Sequence, residues 1–305
     1  MRFNIYGKYL YYSFASFLVI ITIFPIYWTL ISSLKTPSEL ISEDPTFFPE
    51  TLSLEYYIDV WRLDPRMSAA TTTHTGSSAD KVFTDYESQR STGRAYINSA
   101  IVSFGTIILS VILTTLAGYS FTVFKFPFKN LLFILLMLPL LVPSMALAIP
   151  LFKLLKDLAI LDTYFSLIVI HTVGLLPLGI FMMRNAFDSI PKSLREISIL
   201  EGAGELRIMA TAMLPLALPG LLTVMVFALF LSWNDYLMAF IMVNKPEMEM
   251  LNVALSQIAT GEAPYQTKWG HLTAGSMISF LPIIIIYAFL QRYFVRGVTG
   301  SAVKE

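Results

Sequence analysis

Six long stretches without a charged side chain dominate this sequence of 305 residues. They lie between Lys8 and Lys35 (26 residues), Arg94 and Lys125 (30), Lys129 and Lys153 (23), Asp162 and Arg184 (21), Arg207 and Asp235 (27), and Lys268 and Arg292 (23). About 20 apolar residues make a helix long enough to cross the hydrocarbon core of a bilayer. Hydrocarbon offers backbone amides no partners, so such spans must satisfy their own hydrogen bonds as helices. The reading is an all-α integral membrane protein with six transmembrane helices. A soluble protein would have to hide all six runs in one core. Only 14% of the residues are charged, against about 25% in ordinary soluble domains.

The spans are placed at residues 9–34, 97–124, 130–152, 163–183, 216–243 and 271–291, within a core of about 94–292. Arg2 and Lys8 precede the first run as a basic flank. That run exceeds a signal peptide's usual 7–15 apolar residues and no small-x-small site follows, so an uncleaved anchor is expected. Six spans put both termini, 1–8 and 292–305, on one side. That side carries eleven basic residues, including Lys125, Lys129, Arg184, Lys192, Arg195 and Arg207. The short loops opposite carry four: Lys153, Lys156, Lys245 and Lys268. The positive-inside bias therefore expects both termini in the cytoplasm. Formal net charge is zero, which leaves no electrostatic footprint for nucleic acid. There is no cysteine, so disulfide and thiolate chemistry are excluded.

Two external loops are expected. The first, 35–96, contains a polar, Ser/Thr-rich insertion at about 65–95 ("RMSAATTTHTGSSADK") with no helical or strand period, the composition of a flexible segment. The second, 244–270, carries the apolar residues Met248, Leu251, Val253 and Leu255, which either cover the bundle or touch something above it.

The loop 184–215, on the side of the termini, is the charged exception in this chain. Ser193 and Glu196 have capping-box spacing, and Gly202 and Gly204 supply positions tolerant of positive φ where a helix stops. The spacing predicts a two-turn helix over 194–201. A helix this short is marginal alone. Leu194, Ile197 and Leu200 recur every three residues and are read as one apolar face that must be buried. The burial is either against the chain's own helix ends or against a second protein docked from the cytoplasm.

The same segment resembles the cytoplasmic loop of permease subunits of binding-protein-dependent ABC importers, Glu-Ala-Ala, three residues, Gly, nine residues, Ile-x-Leu-Pro. Glu196, Gly202, Leu214 and Pro215 stand at the matching spacing. Ile197 and Ser198 replace the two alanines and Ala212 the isoleucine. "SWNDYLMAF", "FLQRYFVRGVTGSAVK" and "SLKTPSEL...PTFFPETLSLEYYIDVW" are similar to the carbohydrate-uptake, maltose-permease-like branch. The resemblance implies a type I ABC importer permease fold in the cytoplasmic (inner) membrane of a prokaryote. It implies a transporter subunit rather than an enzyme, moving a sugar or oligosaccharide. Its implied partners are a second permease subunit, two copies of an ABC ATPase and an extracellular sugar-binding protein, with membrane lipid around it. Ser193, Leu194, Glu196, Ile197, Leu200, Gly202, Leu214 and Pro215 would then form the ATPase-coupling element. No cofactor is expected on this chain. It has no Gly-x-x-x-x-Gly-Lys-Ser/Thr loop, so ATP and magnesium belong to the partner ATPase.

Asn234 and Asp235 are candidates for the translocation path or its outer mouth. An ionisable group in a span costs about 2.5–3.5 kcal/mol at the centre and usually faces a cavity or partner. At 1.5 Å per residue from Leu216, Asp235 lies roughly 28 Å along, near the outer interface, so a wetted helix end is the plain alternative. His171 is expected to hydrogen-bond a neighbouring helix. With His74 and His271 it forms no metal-ligand spacing, and no metal site is expected. The rival reading, an ion-coupled secondary transporter, needs inverted repeats and usually several intramembrane carboxylates. The sequence shows only Asp235 and no evident repeat.

Overall fold

The computed structural model describes residues 5–42, 44–62, 92–260 and 269–301, and every regular element among them is helical. Most of the Ser/Thr-rich insertion, residues 261–268 of the loop 244–270 and the last four residues lie outside the described residues. Two compact units divide the chain, residues 1–93 with 254–281 and residues 94–253 with 282–305.

The first unit contains α1 (Ile5–Ser33), the short α2 (Pro37–Leu40), α3 (Glu55–Arg62), most of α12 (Leu251–Thr260) and the first part of α13 (Trp269–Ser301). Along α1, Phe14, Phe17, Ile20 and Ile21 are exposed, as expected where lipid is the solvent. The C-terminal end of α1 is fastened by polar contacts. The Ser33 and Tyr57 hydroxyls are 2.7 Å apart, and Lys35, buried, donates to the Thr46 carbonyl and lies over the Trp28 ring. His271 at the start of α13 stacks edge-on to Tyr56 and stands 3.5 Å from the Asp59 carboxylate.

The second unit is built on α4 (Thr92–Val123) and α7 (Tyr164–Asp188), both long and apolar enough to cross a membrane uninterrupted, as α1 and the Trp269–Phe289 part of α13 are. The other two apolar stretches, 130–152 and 216–243, are each interrupted rather than one continuous helix. The third consists of α5 (Lys129–Met137) and α6 (Ser144–Asp157), bent by 101°. Pro139 heads a 3-10 turn between them, and Val142 is extended (φ −92°, ψ 123°), as a residue preceding proline must be. Ahead of the fifth, α9 (Glu205–Ile208) and a π turn (Met209–Met213) at the end of the loop meet α10 (Leu218–Trp233) at 90°. Pro215 has no N–H to continue a helix, and the Leu214 amide reaches back five residues to Met209 O at 2.8 Å. A second break at Asn234–Tyr236 leads into α11 (Leu237–Met242).

Two apolar clusters hold this unit. One gathers Tyr119, Leu175, Met183, Phe187, Ile208, Met213 and Val224. The other gathers Val102, Leu155, Leu167, Met238, Met242 and Val253. Leu251 and Val253 of the loop 244–270 are buried, Val253 in the second cluster, and Met248 is half-buried. Asn98 ties that loop down, donating to the carbonyls of Glu247 (3.0 Å) and Glu249 (2.9 Å).

Candidate functional site

Between α7 and α10, the loop forms α8 (Lys192–Leu200). Pro191, extended, is its N-cap and no side chain caps it. The expected Ser193–Glu196 capping box is therefore absent. The Pro191 ring already fixes the turn into the helix, which puts Ser193 inside the first turn. The C-terminal expectation holds at Gly202, whose φ is +80°. Its amide donates to Ile199 O (2.9 Å) and the Ala203 amide to Ser198 O (3.0 Å), the paired bonds of a Schellman stop. Gly204 has no such role; its φ is −73° and it serves as the N-cap of α9.

The apolar face expected of Leu194, Ile197 and Leu200 splits. A helix turns roughly 100° per residue, so steps of three drift backwards and Leu200 ends up about 120° from Leu194. Leu194 is half-buried against the cluster around Phe187. Ile197 is 54% exposed and Leu200 87%. With Ser193 and Glu196, both exposed, they share a sector of about 100° on the far side. Leu206 is a further open apolar residue, on α9. Leu214 packs on the same cluster as Leu194, while Pro215 is exposed.

What fixes α8 was not legible as a motif. Arg195 donates through both Nε and Nη2 to the two oxygens of Glu205, with Nε to Oε2 at 3.3 Å. Tyr119, buried at the end of α4, donates its hydroxyl to Glu205 Oε2 at 2.6 Å. The Arg195 hydrogen bond holds the Glu205 carboxyl below the usual carboxylate range, and the same bond raises the Arg195 guanidinium. Arg195 and Glu205 flank a glycine turn at opposite charge, which was a readable hint. Tyr119 lies within an apolar run and gave none.

At the other end of α10, Asn234 and Asp235 diverge. Asn234 is exposed and its amide donates to Phe230 O at 3.0 Å. Asp235 turns inward and accepts from the amides of Met238 (3.2 Å) and Ala239 (2.8 Å), so it caps α11. Its Oδ2 is 3.6 Å from His171 Nε2, both side chains being largely buried. Asn252 closes the corner by donating to Trp233 O at 2.8 Å. The acid is thus an internal fastener rather than a wetted helix end, and the side chain that His171 approaches is this carboxylate, at the break between α10 and α11. Among the described residues no three His, Cys, Asp or Glu side chains converge as metal ligands.

Four helices long and apolar enough to cross a membrane, with two further bent pairs, mark a multi-pass membrane protein, one of whose loops presents an amphipathic helix. The chain belongs to the family of binding-protein-dependent transport system inner membrane components, whose description matches residues 107–300. It is 29% identical over 294 residues to the inner membrane ABC transporter permease protein YcjP of Escherichia coli, covering 96% of this chain and 95% of that one. It is 28% identical over 291 residues to the arabinooligosaccharides transport system permease protein AraQ of Halalkalibacterium halodurans, covering 95% and 94%. In fold it matches a chain from the crystal structure of a bacterial ABC transporter involved in import of the acidic polysaccharide alginate. That match has TM-score 0.75 and 21% identity, over 96% of this chain and 99% of that one. The chain is accordingly an inner-membrane permease subunit with the type I importer fold. It is not itself an enzyme, and it works with an ATPase and a solute-binding protein.

Proposed function

We propose that this chain carries a sugar or oligosaccharide across the cytoplasmic membrane. Its partners in this reading are a second permease subunit, two copies of an ABC ATPase and an extracellular sugar-binding protein. Both termini face the cytoplasm, in keeping with the basic loops on that side. The arabinooligosaccharide relative, aligned along almost its whole length, supports the substrate class.

One observation carries the coupling reading. α8 is held from behind by Leu194 and the Arg195–Glu205–Tyr119 cluster, while Ser193, Glu196, Ile197 and Leu200 stand open on its far side. An open apolar pair on a fixed helix is a docking face. In this role Ser193, Glu196, Ile197 and Leu200 meet the ATPase, and Gly202 ends the rod. Leu194, Leu214 and Pro215 transmit its displacement to the π turn and α10. ATP and magnesium stay on the ATPase. At the outer end, Asn234 faces the solute's path and Asp235 sets the angle of α11 beside it.

The test is assembly of the importer from this permease with its neighbouring-gene subunits. Leu200→Asp should leave the permease in the membrane, lose the co-purified ATPase and abolish sugar uptake. Full ATPase retention and normal uptake in both Leu200→Asp and Glu196→Ala would overturn the assignment.

A further inference from the structure

We propose that the segment after α2, around Phe47 and Phe48, is seated in the headgroup–acyl boundary of the bilayer on the side where α1 ends, with phospholipid covering its two open phenylalanines. Phe47 is 60% exposed and Phe48 72%, yet the backbone that carries them is held in place.

Its fastening is polar. Tyr27 of α1 donates its hydroxyl to the Phe47 carbonyl at 2.6 Å, and Lys35 Nζ donates to Thr46 O. Glu39 Oε1 accepts from the Thr46 hydroxyl (2.6 Å) and from the Glu50 amide (3.2 Å). The Ser53 amide returns to Leu34 O at 2.9 Å. These bonds fold the segment back along α1. The Phe47 ring stands edge-on to Trp28 with centroids 6.0 Å apart, and Phe48 stands edge-on to Tyr27 at 6.3 Å. Trp28 stacks in turn on Phe24, 6.1 Å away. One aromatic surface therefore continues from the apolar side of α1 onto the segment.

Depth selects the partner. Twenty residues separate Lys8, exposed at the start of the apolar run of α1, from Trp28. At 1.5 Å per residue that is about 30 Å, also the rough thickness of the hydrocarbon core. With the Lys8 ammonium at one surface, Tyr27 and Trp28 lie at the other, the level at which tyrosine and tryptophan concentrate in membrane proteins. Ser32, Ser33 and Lys35, the polar end of α1, stand beyond that level. Phe47 and Phe48, beside Tyr27 and Trp28, are thus deeper than the surface on which a soluble protein docks. Charge agrees with an apolar mode of insertion. Residues 41–54 include Glu43, Asp44 and Glu50 and no basic residue, so anionic headgroups do not hold the segment. Burial of apolar side chains at the headgroup–acyl boundary does, as for other segments that lie in the interface plane.

The experiment places the photocrosslinker p-benzoylphenylalanine at position 48 of the complete importer, held in phosphatidylcholine nanodiscs with its solute-binding protein added. On illumination the main adduct, identified by mass spectrometry, should be phospholipid. Its yield should be the same at low and high salt, since salt screens exposed charges and leaves apolar contacts in place. A main adduct with the second permease or with the solute-binding protein overturns the lipid assignment, and so does a probe that stays unreacted. A yield that falls in high salt overturns the apolar mode. Should the probe at position 48 block assembly, the same probe at position 47 decides.

Discussion

Arg195 and Glu205 sit on either side of the Gly202 turn and close on each other as a two-pronged pair, with Tyr119 OH on the same carboxylate. This contact joins α8 to α9 and both to the end of α4. Such a partly exposed pair contributes roughly 0.2–1 kcal/mol to folding, so its use is positional. Glu205→Gln is expected to leave the melting temperature nearly unchanged while lowering transport per ATP hydrolysed. The pH dependence follows from the depressed Glu205 carboxyl. A group with a lowered folded pKa stabilises above its unfolded value and loses that effect only as pH falls through the folded one. Protease access to the α8–α9 loop should therefore stay flat from about pH 8 to pH 5, above the ordinary carboxylate range. It should rise only in more acidic solution. A rise near pH 6.5 would assign the contact to some other group.

The two leucines of α8 are expected to fail in different ways. Leu194 is half-buried on the cluster around Phe187, and Leu200 is open. Leu194→Ala should cost roughly 1–2 kcal/mol, less than the 2–5 of a fully buried leucine, and lower the melting temperature. Leu200→Ala should leave stability within about 0.5 kcal/mol and weaken ATPase binding instead. Melting curves and co-purification of the ATPase separate the two. A stability loss at Leu200 equal to that at Leu194 would mean that α8 buries its other side.

Gly202 tests whether backbone or space matters in the turn. A side chain added there would meet nothing within 4 Å, so room is not the obstacle. Its φ of +80° is, since L-residues in the left-handed region cost roughly 1–2 kcal/mol and asparagine less. Gly202→Asn should retain most ATPase binding, and Gly202→Val should lose it. Equal loss in both would show that the ATPase itself needs the bare glycine.

Much of this was open to reading in the chain, for a stated physical reason. Charge-free runs such as 163–183 report helices because lipid excludes charge, and Tyr164–Asp188 is that helix. Gly202 was legible because positive φ has few alternatives. The break at Val142–Pro143 was not, since prolines in membrane helices often produce only kinks, and the break at Asn234–Tyr236 has no proline or glycine to announce it. The hidden pairing of Asp235 with His171, 64 positions apart in the chain, leaves no local periodicity to detect. The split of Leu194 from Ile197 and Leu200 is a matter of angle, and counting every third residue concealed it.

Asp235 and Asn234 should separate stability from transport. Asp235 accepts from two α11 amides, and loss of such a cap costs about 0.5–2 kcal/mol. Asp235→Ala should lower the stability by that amount and the melting temperature with it, and Asp235→Asn by less, because one acceptor oxygen remains. Asn234→Ala removes only a bond to its own helix, at Phe230, and should leave the melting temperature unchanged. If Asn234 faces the solute, uptake by that variant changes in KM. An unaltered KM with unaltered stability would remove it from the path.

Glycines on the long helices should respond with opposite signs. A Cβ at Gly118 of α4 would lie 2.6 Å from Met183 Cβ and 2.9 Å from the Arg184 amide nitrogen of α7. Neither neighbour is the loose end of a side chain, so the two helices must move apart, and overpacking of this kind costs about 1–3 kcal/mol. The gain in helix propensity from glycine to alanine, about 0.8–1.0 kcal/mol, does not offset it. At Gly174 of α7 nothing stands within 4 Å of the added carbon, and the propensity term acts alone. Gly118→Ala is therefore expected to lower the melting temperature and Gly174→Ala to raise it slightly, measured in the same nanodiscs. If both substitutions stabilise, α4 and α7 are not in contact at Gly118 in the membrane, and the close packing of the second unit is wrong at its centre.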